Sequence, residues 1–439
     1  MRVIHALRVL ATRHRGLLWG LPLLSAAGQA VAQPVESLPL VDRGANRWSL
    51  PAGTYQGNFR IERTMRISCE PGATIDAQGQ GNGLVVDAPG VLVEGCVLTN
   101  WGRDLTKMDS AVFVTTRAAG AELRDNQLRG VGFGIWVDGA ADVSLVANRI
   151  EGDPTIRSQD RGNAIHLFAV KGAKVLFNQV RHARDGIYIE TSSGNHLQGN
   201  VLEDLRYGIH YMFANDNKVI GNTTRRTRTG YALMQSRRLE VIGNRSERDQ
   251  NYGILMNYIT YSTIRQNVVL EVQNGSTDGD VMVSGAEGKA LFIYNSLFNS
   301  IESNRFERSA LGIHMTAGSE DNRIAGNTFV ANQQQVKYVA NRTQEWSQDG
   351  QGNYWSDYLG WDRDGDGRGD VPYEPNDNVD RLLWMYPQAR LLMNSPSIEV
   401  LRWAQRAFPI VKSPGVQDSH PMMRPPRQTP PVQRQEARL

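Results

Sequence analysis

Two cysteines in a chain of 439 residues are too few for a disulfide scaffold. Charge of one sign is also lacking. The 48 Lys+Arg nearly balance 45 Asp+Glu, which argues against a general nucleic-acid binder. Beyond Ala32 no apolar run approaches membrane-spanning length. Composition excludes collagen-like and mainly disordered chains, and the length suits one large domain or two ordinary ones.

The segment 1–32 reads as a secretory signal. Arg2, Arg8, Arg13 and Arg15 form a basic start, Gly16 to Ala27 an apolar core, and Ala30-Val31-Ala32 a small-x-small cleavage pattern. Removing it leaves 44 basic against 45 acidic residues, so the pI of 8.8 says nothing about partners. The expected compartment is the periplasm, which permits disulfides. Cys69 and Cys96 could pair there, or remain two buried thiols.

What is present is a repeat. Asn recurs at 126, 148, 178, 200, 222, 244, 267, 304 and 327, and the period is about 22 residues wherever nothing is inserted. An apolar residue, Leu123 or its equivalent, precedes each by three. A second column of small residues runs in phase: Gly134, Ala164, Gly186, Gly208, Gly230, Gly253, Ala290 and Gly312. One and three positions after it every residue is apolar, as in Ile187 and Ile189. Alternation with period two means strand, with these side chains inward. Helical spacing is absent, and a propeller blade would need about 40 residues. The pattern predicts an all-β fold, a right-handed parallel β-helix of three short strands per coil over residues 33–345. The Asn column reads as an internal amide ladder. Extra residues enter only between Asn and the small-residue column, after Asn148 and Asn267, so insertions gather at one corner.

Beside that corner, the positions between the inward residues carry Trp136, His166, Tyr188, His210, Leu255, Phe292 and His314, then Phe168, Met212, Met234 and Tyr294. Read as outward, they form an aromatic, His-bearing stripe of the kind that marks an interaction site. His210 and Met212 fall about 7 Å apart on one strand face, and Met234 about 5 Å from Met212 on the next coil. An imidazole and two thioethers suit Cu(I). The alternative is plain packing, since Met fills gaps. Asp138 and Glu190 lie two coils apart, a poor acid–base pair, although a polysaccharide lyase, hydrolase or epimerase with its site elsewhere stays open.

Residues 346–396 read as a cap crowded with Trp346, Trp355, Trp361 and Trp384. Within it Asp362, Asp364, Asp366 and Asp370 have the spacing of a Ca²⁺ loop, with Tyr373 where an EF-hand places Glu. A solvated acidic turn is the alternative. Residues 397–439 read as an amphipathic helix N-capped by Ser397, with Leu401, Trp403 and Phe408 as docking residues, then an extended basic Pro-rich tail. The tail holds a second soft cluster, His420, Met422 and Met423.

The coils resemble the carbohydrate-binding and sugar-hydrolase β-helix repeats. More narrowly, RDGIYIETSSGNHLQGNVLEDLRYGIHYMFANDN (184–217), GKALFIYNS from Gly288 and SPGVQDSHPMMRP (413–425) resemble the NosD family of periplasmic maturation factors for nitrous-oxide reductase. That resemblance implies a non-catalytic protein seated on an ABC transporter, with a membrane subunit and a cytoplasmic ATPase, peripheral to the inner membrane. It also implies a lipoprotein copper chaperone as donor and nitrous-oxide reductase as recipient of the copper–sulfur centre. A docking platform that never touches metal is the third reading.

Overall fold

The computed structural model describes residues 32–273, 288–316, 318–339, 342–376, 395–398, 400, 403 and 415–427. Residues 1–31 of the proposed signal segment and Trp384, Leu401 and Phe408 lie outside them. Among the described residues no helix is long and apolar enough to cross a membrane.

The chain winds into a right-handed parallel β-helix with three sheets of 13 strands each. Each coil contributes one strand per sheet. In the central coil these are Tyr207–Met212, Lys218–Ile220 and Thr223–Arg225. The small-residue column opens the front strand. At Gly186 an added Cβ would lie 2.5 Å from the Gly208 carbonyl oxygen, so the tight corner admits no side chain. The inward residues Ile187, Ile189, Ile209, Tyr211 and Leu233 are fully buried, as the alternation requires.

The expected amide ladder is present. From Asn148 on, each Asn side-chain oxygen accepts the backbone N–H of the preceding Asn, as between Asn200 and Asn222 (3.0 Å) and Asn222 and Asn244 (2.9 Å), and Asn126 accepts that of Cys96. A second ladder absent from the sequence reading joins Asn195 to Asn217, and Ser262 through Asn299 to Asn322. Buried turns therefore leave few amides unpaired, which is what a solenoid core demands. Cys69 and Cys96 form a disulfide that ties neighbouring coils near the N-terminal end.

The C-terminal boundary differs from the sequence reading. Tyr354–Trp355 is the last strand of one sheet, and Asn353 extends the Asn column, so the solenoid continues past 345. Residues 415–427 are not an extended tail. Val416–Gln417 pairs with Gln344–Glu345, and Asp418 exchanges two backbone hydrogen bonds with Tyr373, so the segment straps the cap. The core ends in stacked rings: Phe329 on Trp355 at 4.3 Å and Trp355 on Tyr373 at 4.7 Å. The helix begins at Pro396, with Ser395 rather than Ser397 preceding it and accepting the Ile398 amide. Proline belongs at a first helical position because the N–H it lacks has no partner there. Trp403 is exposed.

Candidate functional site

The front sheet sets the expected register. Tyr188 pairs with His210, His210 with Ala232, and Met212 with Met234. His210, Met212 and Met234 therefore share one wall, with Met234 one coil, about 5 Å, from Met212.

That wall is more closed than an outward stripe would be. Trp136, His166 and His210 are only 8%, 4% and 7% exposed. Flat rings repeat at the strand spacing and cover one another. Trp136 lies 3.9 Å from His166, His166 4.6 Å from Tyr188, and Tyr188 stacks on His210 at 4.3 Å, centroid to centroid. Tyr188, Leu255, Phe292, His314, Met212 and Met234 are half-buried, while Phe168 and Tyr294 are exposed. Sequence reasoning missed a more open set, Phe213, Tyr258, Tyr261 and Phe298. These occupy left-handed turn positions just beyond the front strands, where alternation no longer applies.

Sequence reasoning also missed Asp185, one residue before Gly186. Its carboxylate is fully buried. It accepts two hydrogen bonds from Arg206, at 2.8 and 2.6 Å, and lies 3.0 Å from His210 Nδ1. Burial by itself would raise its pKa, but His210 and Arg206 overcome that and hold the carboxyl below its usual range. The other His210 nitrogen, Nε2, is buried and has no hydrogen-bond partner among the described residues. His166 Nε2 and His314 Nδ1 on the same wall are also buried without a hydrogen-bond partner among the described residues. Unpartnered imidazole nitrogens on a wall that also carries two thioethers are the donor types a soft monovalent cation would take.

His166 differs. Its Nδ1 faces the Asn163 amide at 3.3 Å, and its Nε2, 3.4 Å from Glu190, has no hydrogen-bond partner among the described residues either. Burial pulls its pKa down to about 3, and His314 likewise to about 3. Both stay neutral in the fold, whereas the unfolded chain takes up protons near pH 6.5. Their contribution is complete above that pH and is lost as pH falls towards 3, about 2 kcal/mol each by pH 5. Asp249, buried and pushed up to about 6, works the other way by about 1 kcal/mol over the same range. The expected outcome of urea unfolding is lower stability at pH 5 than at pH 7. His314→Phe should remove part of that difference, and an unchanged difference would refute the assignment.

At the cap, Asp362, Asp364 and Asp366 bring carboxylate oxygens within 4.8 Å of one another. Asp370 does not join them; it accepts the Arg363 amide at 2.6 Å. The three clustered acids also accept amides of their own loop, including Gly365 and Gly367 at Asp362, so the loop's own hydrogen bonds help to hold the turn. His420 is exposed and its Nδ1 lies 3.0 Å from the Ser347 hydroxyl, while Met422 and Met423 are half-buried in the strap.

Fold and wall together define a parallel β-helix protein with an imidazole–thioether face. Residues 146–360 match a family described as periplasmic copper-binding protein (NosD). A relative from Stutzerimonas stutzeri, named probable ABC transporter binding protein NosD, is 69% identical over 94% of this chain and 95% of its own. Another of that name from Pseudomonas aeruginosa is 64% identical over 98% of this chain and all of its own. The chain belongs to the NosD family. In fold it is also similar to PfbA, a surface adhesin of Streptococcus pneumoniae, with a TM-score of 0.52 and 11% identity over 71% of this chain and 93% of that one.

Proposed function

We propose that this protein passes Cu(I) through the His210, Met212 and Met234 wall as the periplasmic accessory of an ABC transporter, supporting assembly of the copper–sulfur centre of nitrous-oxide reductase. The observation that carries the reading is the register that stacks Met212 on Met234 along the wall holding His210, whose Nε2, like His166 Nε2 and His314 Nδ1, is buried without a hydrogen-bond partner among the described residues. Neutral imidazole and thioether donors bind Cu(I) and give it up by ligand exchange, with no charge of their own to hold it. The family description and the relatives' names support the copper and transporter parts. The relatives are named as binding proteins, which favours a carrier over a polysaccharide enzyme. Donor, membrane subunit, ATPase and recipient enter with this reading, and ATP hydrolysis can drive release only if docking differs between transporter states.

Anaerobic Cu(I) titration against a competing chelator tests it. Wild type should bind Cu(I), and a His210/Met212/Met234 triple alanine variant should bind at least tenfold more weakly. Equal binding would remove this wall from the account and turn attention to His420, Met422 and Met423.

A further inference from the structure

The front wall carries two buried histidines in one column, His166 and His210, two coils apart with Tyr188 between them. By residue type either could be a ligand. Their hydrogen-bond partners differ, and the difference has a chemical consequence.

Asp185 is held as a carboxylate by the paired Arg206. An ionised carboxylate only accepts, so the His210 nitrogen facing it at 3.0 Å must carry the proton. A neutral imidazole has one N–H, and Nε2 of His210 is then a bare lone pair. At His166 the order is reversed. The Asn163 amide nitrogen only donates, so Nδ1 must accept, and the proton sits on Nε2, which lies 3.4 Å from the Glu190 carboxylate without making a hydrogen bond to it. Turning the Asn163 amide over would force Nδ1 to donate and set a bare Nε2 lone pair against Glu190. That opposed pair of acceptors disfavours the flipped form.

We propose that Asp185 and Asn163 fix the two histidines in opposite tautomers, so that His210 alone offers a nitrogen to Cu(I) and Asp185 is its positioning residue. This rests on the copper reading above. It narrows the wall to a single imidazole, and it explains why a fully buried, ion-paired acid sits beside a carrier site. A carboxylate on the far nitrogen both aims the ring and raises the basicity of the near one. Arg206 in turn keeps Asp185 ionised and in place. His166, whose proton lies on the outer nitrogen, holds the wall together without offering a lone pair.

The test starts on the metal-free, wild-type protein labelled with ¹⁵N-histidine, where long-range ¹H–¹⁵N correlation reads each tautomer directly. His210 should be protonated at Nδ1 and His166 at Nε2, with His166→Gln and His210→Gln used for assignment. Cu(I) titration follows. Asp185→Asn should weaken binding by about 10–100-fold, as loss of such a partner does. His166→Gln should leave affinity within about twofold. Should Asp185→Asn fail to fold, the wild-type tautomers and the His166→Gln titration still decide. Cu(I) bound by a protein whose His210 carries its proton on Nε2 would overturn this inference and spare the copper reading. So would equal losses from His166→Gln and His210→Gln. The stated tautomers with no Cu(I) binding at all would overturn the copper reading, and the ligand role of His210 with it.

Discussion

Asn222→Ala should destabilise the protein by about 3–5 kcal/mol, although no catalytic or binding group is touched. Asn222 lies at the middle of the ladder and is fully buried. Its oxygen accepts from the Asn200 backbone N–H at 3.0 Å and the Asn200 side-chain amide at 2.8 Å. Its own amide donates to the Leu197 carbonyl at 3.0 Å and to the Asn244 oxygen at 3.1 Å. Truncation leaves two donors and one carbonyl buried and unpaired, at about 1–3 kcal/mol each before any relaxation. Neighbouring rungs lose their polarising partner as well. A solenoid has only nearest-neighbour interfaces, so weakening one rung in the middle weakens the link between the two halves. Urea unfolding should show a lower midpoint, and a second transition is expected if the halves separate. Lys218→Ala, at an exposed ion pair with Glu240 one coil away, is the control and should cost about 0–1 kcal/mol. Equal effects from the two would show that the ladder contributes nothing beyond surface terms.

Asp418→Ala should cost about 3–5 kcal/mol and release the strap. This carboxylate is buried at the end of the core and accepts from the Asn353 amide at 2.7 Å, Trp355 Nε1 at 2.8 Å and the His420 amide at 3.1 Å. It ties three places together: the end of the Asn ladder, the terminal indole and the strap. Burial holds its pKa above the ordinary range despite those donors. With the carboxylate gone, the Asn353 amide and the indole N–H are left without acceptors. Limited proteolysis should then cut near residues 415–427 at a protease concentration that leaves wild type intact, and thermal unfolding should begin earlier. Resistance equal to wild type would mean that backbone pairing alone holds the strap. Because His420, Met422 and Met423 sit in this strap, the same variant asks whether they act as a preformed unit or only as a loose sequence.

The fold was legible because a parallel solenoid is one-dimensional. Once the spacing between Asn columns is read, the spacing between front strands follows, and with it the register of Met212 on Met234 and of Tyr188 on His210. The first insertion falls between the strands Arg149–Glu151 and Ile165–Phe168, at the corner the spacing marked, while most of the second lies outside the described residues. The acidic loop was legible only in part: three of its four acids gather, while Asp370 turns to the backbone of its own loop. The Asp185–His210 link was not legible. It runs diagonally between coils, from a strand's first residue to the fourth residue of the next, and depends on how the backbone turns at Gly186.

The sequence by itself determined which residues face inward, which coils adjoin and which side chains share the front wall, because a repeating backbone hydrogen-bond ladder leaves no freedom in those choices. Tertiary structure alone decided that the wall is closed by its own stacked rings, that Cys69 meets Cys96, that the strap returns from a distant part of the chain to seal the core, and that Asp185 reaches His210. Those outcomes turn on side-chain burial and on contacts, some diagonal between coils and some to segments outside the repeat, and no period in the sequence encodes them.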